Sequence, residues 1–91
     1  MALDLKDLRC FVAVYELRGF GRAARALNTV QSNVSTRVRR LERLIGAPLF
    51  ERVHRTVTPT ARGERLYRHA RRVLDQVGEL ETIFRIEKSA A

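Results

Sequence analysis

The sequence predicts a mainly α-helical fold: three helices and a short β-hairpin, followed by a long fourth helix. Three observations carry this. Apolar residues recur at intervals of three and four through most of the chain, the spacing of one helical face. The exception is "APLFERVHRTVTPT", residues 47–60, where two prolines bracket β-rich runs. Beyond it, Leu66, Ala70, Val73, Val77, Leu80 and Phe84 follow one another at spacings of 4, 3, 4, 3 and 4, a heptad seam.

The elements follow in order. Asp4 is a plausible N-cap for a first helix over 5–17, with Leu5, Leu8, Phe11, Val12 and Tyr15 on its apolar face. "GRAARALN" reads as a short second helix, 22–27, capped by Gly21, with Ala23, Ala24 and Leu27 facing inward. Asn28 suits a left-handed turn position. A third helix begins near Val30 or Gln31 and runs to about Ile45, its apolar stripe being Val34, Val38, Leu41 and Ile45. Gly46 ends it. Leu49–Arg52 and Thr56–Thr58 form a hairpin with "VHR" and its basic residues at the tip, although the turn lacks glycine. Thr60 caps the fourth helix, which runs to about Ile86 and is weakened by Gly63 and Gly78 by about 1 kcal/mol each relative to Ala.

Composition narrows the function. A chain of 91 residues supports one modest core. No apolar run approaches the ~20 residues of a membrane span, and "MALDLKDL" is not a signal peptide, so the expected compartment is the cytoplasm. Cys10 is the single cysteine, which excludes an internal disulfide. His54 and His69 have no second ligand at metal spacing, and neither a phosphate loop nor a nucleophile–base pair occurs. No enzyme, cofactor or metal is expected.

Charge is the informative quantity. The chain carries a net +8, unevenly placed. Residues 21–72 hold thirteen basic and three acidic side chains, whereas 1–20 balance at three each and 73–91 hold two basic and four acidic. Such concentration opposes folding by self-repulsion and suits a polyanionic partner, though a solvated arginine-rich surface accounts for it equally well taken alone.

The second and third helices together read as a helix-turn-helix. That packing needs a small residue in the first helix, a left-handed turn residue four later and a β-branched core residue six after that. Ala24, Asn28 and Val34 meet the requirement. Ser32, Thr36, Arg39 and Arg43 then centre on the outer face of the third helix, with Ser35 and Arg40 flanking. Base edges in the DNA major groove offer donors and acceptors that Gln, Ser, Thr and Arg can read, and the start of a recognition helix points into the groove. Gln31, Ser32, Asn33, Ser35 and Thr36 are therefore the candidates for base reading, with Ser32 or Asn33 also able to cap the helix start. Arg37, Arg39, Arg40 and Arg43 are the candidates for phosphate, Arg37 lying nearest the core face. Arg52, His54 and Arg55 would place the hairpin on the minor groove or flanking backbone.

Two other classes compete. A single-stranded RNA reader presents aromatic platforms, but Phe11, Tyr15, Phe20 and Phe50 fall at core positions here. A coiled-coil interaction protein accounts for the seam and leaves the helix-turn-helix unexplained.

The stretch "AARALNTVQSNVSTRVRRLERLIGAPLFERVHRTVTPTARGERL" resembles the N-terminal domain of LysR-type transcriptional regulators. The family pattern is matched by Ala23, Ala24 and Leu27, by Gln31 and Ser35, by Leu41, Glu42, Ile45 and Gly46, by Leu49, Phe50 and Arg52, and by Thr60 and Gly63. The resemblance implies a winged helix-turn-helix over 1–58 and a linker helix with its tail over 59–91. It implies binding of an interrupted inverted repeat in double-stranded DNA, antiparallel pairing of two subunits through the linker helix, and higher oligomers in a full-length bacterial protein. A C-terminal effector domain is absent from this chain, whose end at "EKSAA" reads as the cut edge of a longer protein. The seam residues Leu66, Ala70, Val73, Val77, Leu80 and Phe84 become the expected homodimer interface, Ala70 allowing close approach.

The chain departs from the pattern in places. Val30 stands where Ser precedes Gln31, so the third helix either uses Thr29 as its cap or is poorly capped. Thr36 follows Ser35 where Arg is frequent, Pro59 and Arg62 replace Leu and Ala around Thr60, and Thr56 stands where the wing often has Gly. The Thr36 change bears on sequence preference, and none of these departures removes the fold.

Overall fold

The computed structural model describes residues 2–90. Six elements follow one another: α1 (Leu5–Leu17), α2 (Phe20–Ala26), α3 (Gln31–Ile45), β1 (Phe50–Val53), β2 (Thr56–Pro59) and α4 (Ala61–Ala90). Asp4 caps α1 as its spacing predicts, its carboxylate accepting from the Lys6 amide at 2.7 Å. The helix closes on Arg18 in the left-handed region, φ 55°. Two carbonyls exposed there are taken up by Arg22, whose Nε donates to Leu17 O and whose Nη2 donates to Arg18 O, both at 2.7 Å.

The second helix begins at Phe20, two residues earlier than its sequence pattern suggests, with Gly19 rather than Gly21 at the cap. Burial of the Phe20 ring in the core draws the start forward. Ala23 and Ala24 are buried as expected, but Leu27 is 37% exposed. It stands beyond the last helical residue, where the chain is already turning away. Asn28 adopts the left-handed conformation at φ 56°. Val30 occupies the N-cap of α3 without a side-chain cap bond, so Thr29 does not cap; its hydroxyl instead accepts from Asn33 Nδ2 at 3.1 Å. Gly46 ends α3 at φ 82°.

The hairpin is antiparallel, with Phe50 opposite Pro59 and Val53 opposite Thr56. The tip is therefore the two residues His54 and Arg55, both at positive φ (49° and 66°), which is how a two-residue loop matches the strands' twist. Leu49 lies outside the strand that its composition suggested and is fully buried instead. Its amide donates to Glu42 Oε2 at 2.8 Å, which pins the chain leaving α3.

Thr60 caps α4: its hydroxyl accepts from the Gly63 amide at 3.1 Å and donates to Pro48 O at 2.8 Å. The helix continues to Ala90, past the expected end near Ile86, through Glu87, Lys88, Ser89 and Ala90, of which all but the serine are good helix formers. Two buried clusters hold the unit together. One joins Cys10, Val14, Phe20, Ala23, Ala24, Val34, Val38 and Val57 beneath the helix-turn-helix and wing. The other joins Leu8, Phe11, Val12, Leu41, Leu49, Ala70 and Leu74.

That second cluster changes the reading of the seam. Ala70 is 1% exposed, and the close approach it permits is to α1 of the same chain. Leu74, outside the seam, is buried beside it, and Leu66 packs against the same cluster. On the surface of this joint, the Tyr15 and Tyr67 rings stack at 3.8 Å and 6°. Tyr67 Oη donates to Glu16 Oε2 at 2.6 Å, a bond that raises the tyrosine's pKa above its usual value. Beyond Leu74 the helix leaves the globular unit, which gives the molecule extents of 53 × 26 × 20 Å. Leu80, Ile83, Phe84 and Ile86 are each about half exposed or more there. No described helix is long and apolar enough to cross a membrane.

Candidate nucleic-acid interface

The outer edge of α3 is built by its helical phase. Val34, Val38 and Leu41 are buried, which turns Ser32, Thr36, Arg39 and Arg43 outward, all exposed. Gln31 and Ser32 at the helix start, with Ser35 and Arg39 one and two turns on, line a cleft of about 530 Å³. Phe20 and the β1 residues Phe50 and Arg52 form its other wall. Four of the five candidate base readers are thus on one outward surface: three of them line the cleft, and Thr36 stands exposed beside it. Glu42 is the acidic residue in the cleft, and its carboxylate is engaged by the Leu49 amide.

Asn33 is separated from this group. Half-buried and bonded to Thr29, it lines a smaller cavity on the opposite side with Lys6, Arg9, Cys10, Leu27 and Arg37. Arg37 is likewise turned toward the core, its Nη1 donating to Asp7 Oδ1 at 2.9 Å and lying 3.8 Å from Asp4 Oδ2. Arg40 keeps half of its side chain in solvent while its Nε stands 3.6 Å from Asp7 Oδ2. Arg39 and Arg43 have no ion pair among the described residues and are exposed.

In the wing, Arg52 lays its guanidinium 4.4 Å above the Phe20 ring, which fixes the charge at the mouth of the cleft. His54 and Arg55 form the exposed tip. Arg55 and Arg52 also face a second cavity, whose far wall is Arg18, Arg22 and Arg25. Those three arginines were not singled out by pattern, although the charge count of residues 21–72 includes two of them. Asp7 was also missed, because a buried carboxylate that anchors two arginines has no local signal in sequence.

The arrangement is a surface of hydrogen-bonding side chains rimmed by guanidinium groups. Burial pushes the Cys10 thiol above its usual pKa, which keeps it protonated and poorly reactive. Among the described residues no group of three or more His, Cys, Asp or Glu could hold a metal.

Comparison with known proteins identifies the family. The model of the bacterial regulatory helix-turn-helix protein, lysR family, matches residues 5–64. The transcriptional activator IlvY of Salmonella typhimurium is 43% identical over 86 residues, an alignment covering 84% of this chain and 29% of IlvY. The chain thus spans less than a third of the length of such relatives. Among solved structures, the BenM DBD/catB site 1 DNA complex superposes with a TM-score of 0.88 at 33% identity, covering 96% of this chain and 98% of that one. The CbnR DBD–DNA complex gives 0.84 at 30% identity, covering 93% and 98%. The chain belongs to the LysR family of bacterial transcription regulators and corresponds to its N-terminal DNA-binding domain, a winged helix-turn-helix with a linker helix.

Proposed function

We propose that two copies of this chain, paired through the distal half of α4, bind an interrupted inverted repeat in duplex DNA. The start of α3 enters the major groove, where Gln31, Ser32, Ser35 and Thr36 read base edges. Arg39, Arg40 and Arg43 meet phosphate. The wing, through Arg52, His54 and Arg55, lies on the minor groove or the flanking backbone. Asn33 and Arg37 act one step back: Asn33 orders the turn before α3, and Arg37 fixes the helix on α1. The DNA unit is centred on 1–58 and the pairing unit on 59–91, with Leu66 and Ala70 supporting the joint and Val73, Val77, Leu80 and Phe84 facing the partner. The activity belongs in the cytoplasm of a bacterium, and a full-length protein with an effector domain would assemble further.

The observation that carries this reading is the order along one outward face of α3: the polar residues Gln31, Ser32 and Ser35 come first, and Arg39 and Arg43, without ion pairs among the described residues, follow toward the other end. Base reading needs the first and electrostatic attachment the second. The BenM and CbnR complexes, which hold DNA on the same fold, support it. The test is a titration of labelled duplex at several salt concentrations. With about six phosphates neutralised, log K falls with log salt at a slope near −5. A flat response, or equal affinity for unstructured RNA, contradicts the reading.

A further inference from the structure

We infer that Arg25 of α2 and Arg55 of the wing tip close on one phosphate of the DNA backbone, joining the helix-turn-helix and the wing through the ligand. The inference rests on the duplex-binding reading above and adds to it a site between two elements.

The cavity between α2 and the wing has a volume of about 390 Å³. Five guanidinium groups line it, from Arg18, Arg22, Arg25, Arg52 and Arg55, and no carboxylate does. Three of the five are already held by neutral partners. Arg22 serves the carbonyls ending α1, Arg52 covers Phe20, and Arg18 lies 4.8 Å over the Tyr15 ring. None of those partners cancels charge. Arg25 and Arg55 have neither a side-chain hydrogen bond nor an ion pair among the described residues, and both are exposed. Convergent like charges repel, and an anion relieves that repulsion. Guanidinium donors match phosphate oxygens in geometry as well as in charge.

A backbone phosphate is the occupant that the neighbouring surface selects. Gln31 and Arg52 line both this cavity and the reading cleft. A strand whose bases meet Ser32 and Ser35 therefore carries its backbone past the cavity mouth. Gly21 brings the two sites together. A Cβ built on Gly21 would stand 3.4 Å from Gln31 Oε1 and 3.8 Å from Arg25 Nη1. Without that carbon, the reading amide and the free guanidinium share one spot on α2, so a phosphate held by Arg25 also positions Gln31.

The test uses a duplex recovered by selection from a random pool, with its backbone neutralised one position at a time by methylphosphonate. At one position in each half-site, neutralisation weakens wild-type binding about tenfold, the size of one charged hydrogen-bonding contact. Arg25→Ala/Arg55→Ala loses that sensitivity at that position and keeps it at the others. Arg68→Ala/Arg72→Ala, with the same change in charge on the outer face of α4, keeps the whole profile. If the Arg25→Ala/Arg55→Ala profile matches wild type, the cavity is not a phosphate site and the duplex reading stands. If wild type binds no duplex, both fall. If inorganic phosphate raises the melting temperature of wild type but not of Arg25→Ala/Arg55→Ala, with the DNA profile unchanged, the cavity takes a free anion and the inference is overturned.

Discussion

Arg37 of α3 donates to Asp7 of α1 across a 2.9 Å contact, thirty residues apart in sequence. Asp7 is 5% exposed, and the same carboxylate faces Arg40 at 3.6 Å. One acid therefore ties the recognition helix to the first helix, and it turns the Arg37 guanidinium inward, away from the exposed face. Breaking a fully buried pair costs about 3–5 kcal/mol; Arg37 keeps partial solvent contact, so Asp7→Ala is expected to lose about 2 kcal/mol. Urea unfolding measures it. Arg37→Ala is expected to lose a similar amount of stability, with a duplex salt slope close to wild type. A lowered slope with unchanged stability would return Arg37 to the phosphate-binding set.

The two glycines of α4 respond in opposite directions. A Cβ at Gly63 would meet Leu49 O at 2.2 Å, so the first turn of α4 packs on the backbone entering the wing only because that position is bare. Gly63→Ala forces those backbones apart and is expected to cost about 1–3 kcal/mol, as overpacking does. A Cβ at Gly78 meets nothing within 4 Å, and Gly78→Ala is expected to gain up to about 1 kcal/mol from helix propensity. Thermal melts of the two variants check the signs, and a stabilised Gly63→Ala would refute this account of the joint.

Pairing through α4 rests on an apolar stripe with no cover in the single chain. Val73, Leu80 and Phe84 are between 41% and 59% exposed, with Ile83 and Ile86 beside them. Leu80→Arg places a charge in that stripe. Sedimentation is expected to show a dimer for the parent chain and a monomer for the variant, because an unpaired buried charge costs several kcal/mol, about 3–5. Specific binding is expected to weaken far more than non-specific binding, since only the inverted repeat needs both subunits at once. A parent chain that is monomeric at about tens of micromolar would contradict the pairing, because a seam this long should associate in that range.

Elements with strong local periodicity were legible in the sequence. The α1 boundaries, the left-handed Asn28, the Gly46 stop and the Thr60 cap each follow from one residue's own chemistry. Readings that depended on a distant partner were not. Phe20 enters α2 because a core receives its ring, and Leu49 is buried because Leu8, Phe11, Leu41 and Ala70, distant in sequence, form the cluster that receives it. Ala70 and Leu74 face α1, since the heptad pattern of α4 shows an apolar stripe without saying which neighbour covers which part. The polar edge of α3 was legible for the same reason as its core: three buried residues fix the phase of all the others. The separation of Asn33 and Arg37 from that edge required Thr29 and Asp7, whose roles are set by contacts across turns and helices.

Selection of duplexes from a random pool tests the central claim, that the outward edge at the start of α3 reads bases while the arginines supply attachment. Wild type is expected to enrich an interrupted inverted repeat. Gln31→Ala/Ser35→Ala is expected to bind the unselected pool with an unchanged salt slope and to lose most of the enrichment, each good base contact being worth about 1–3 kcal/mol of discrimination. Enrichment of the same repeat, to the same degree, by wild type and by Gln31→Ala/Ser35→Ala would place sequence reading elsewhere on the molecule and contradict the account.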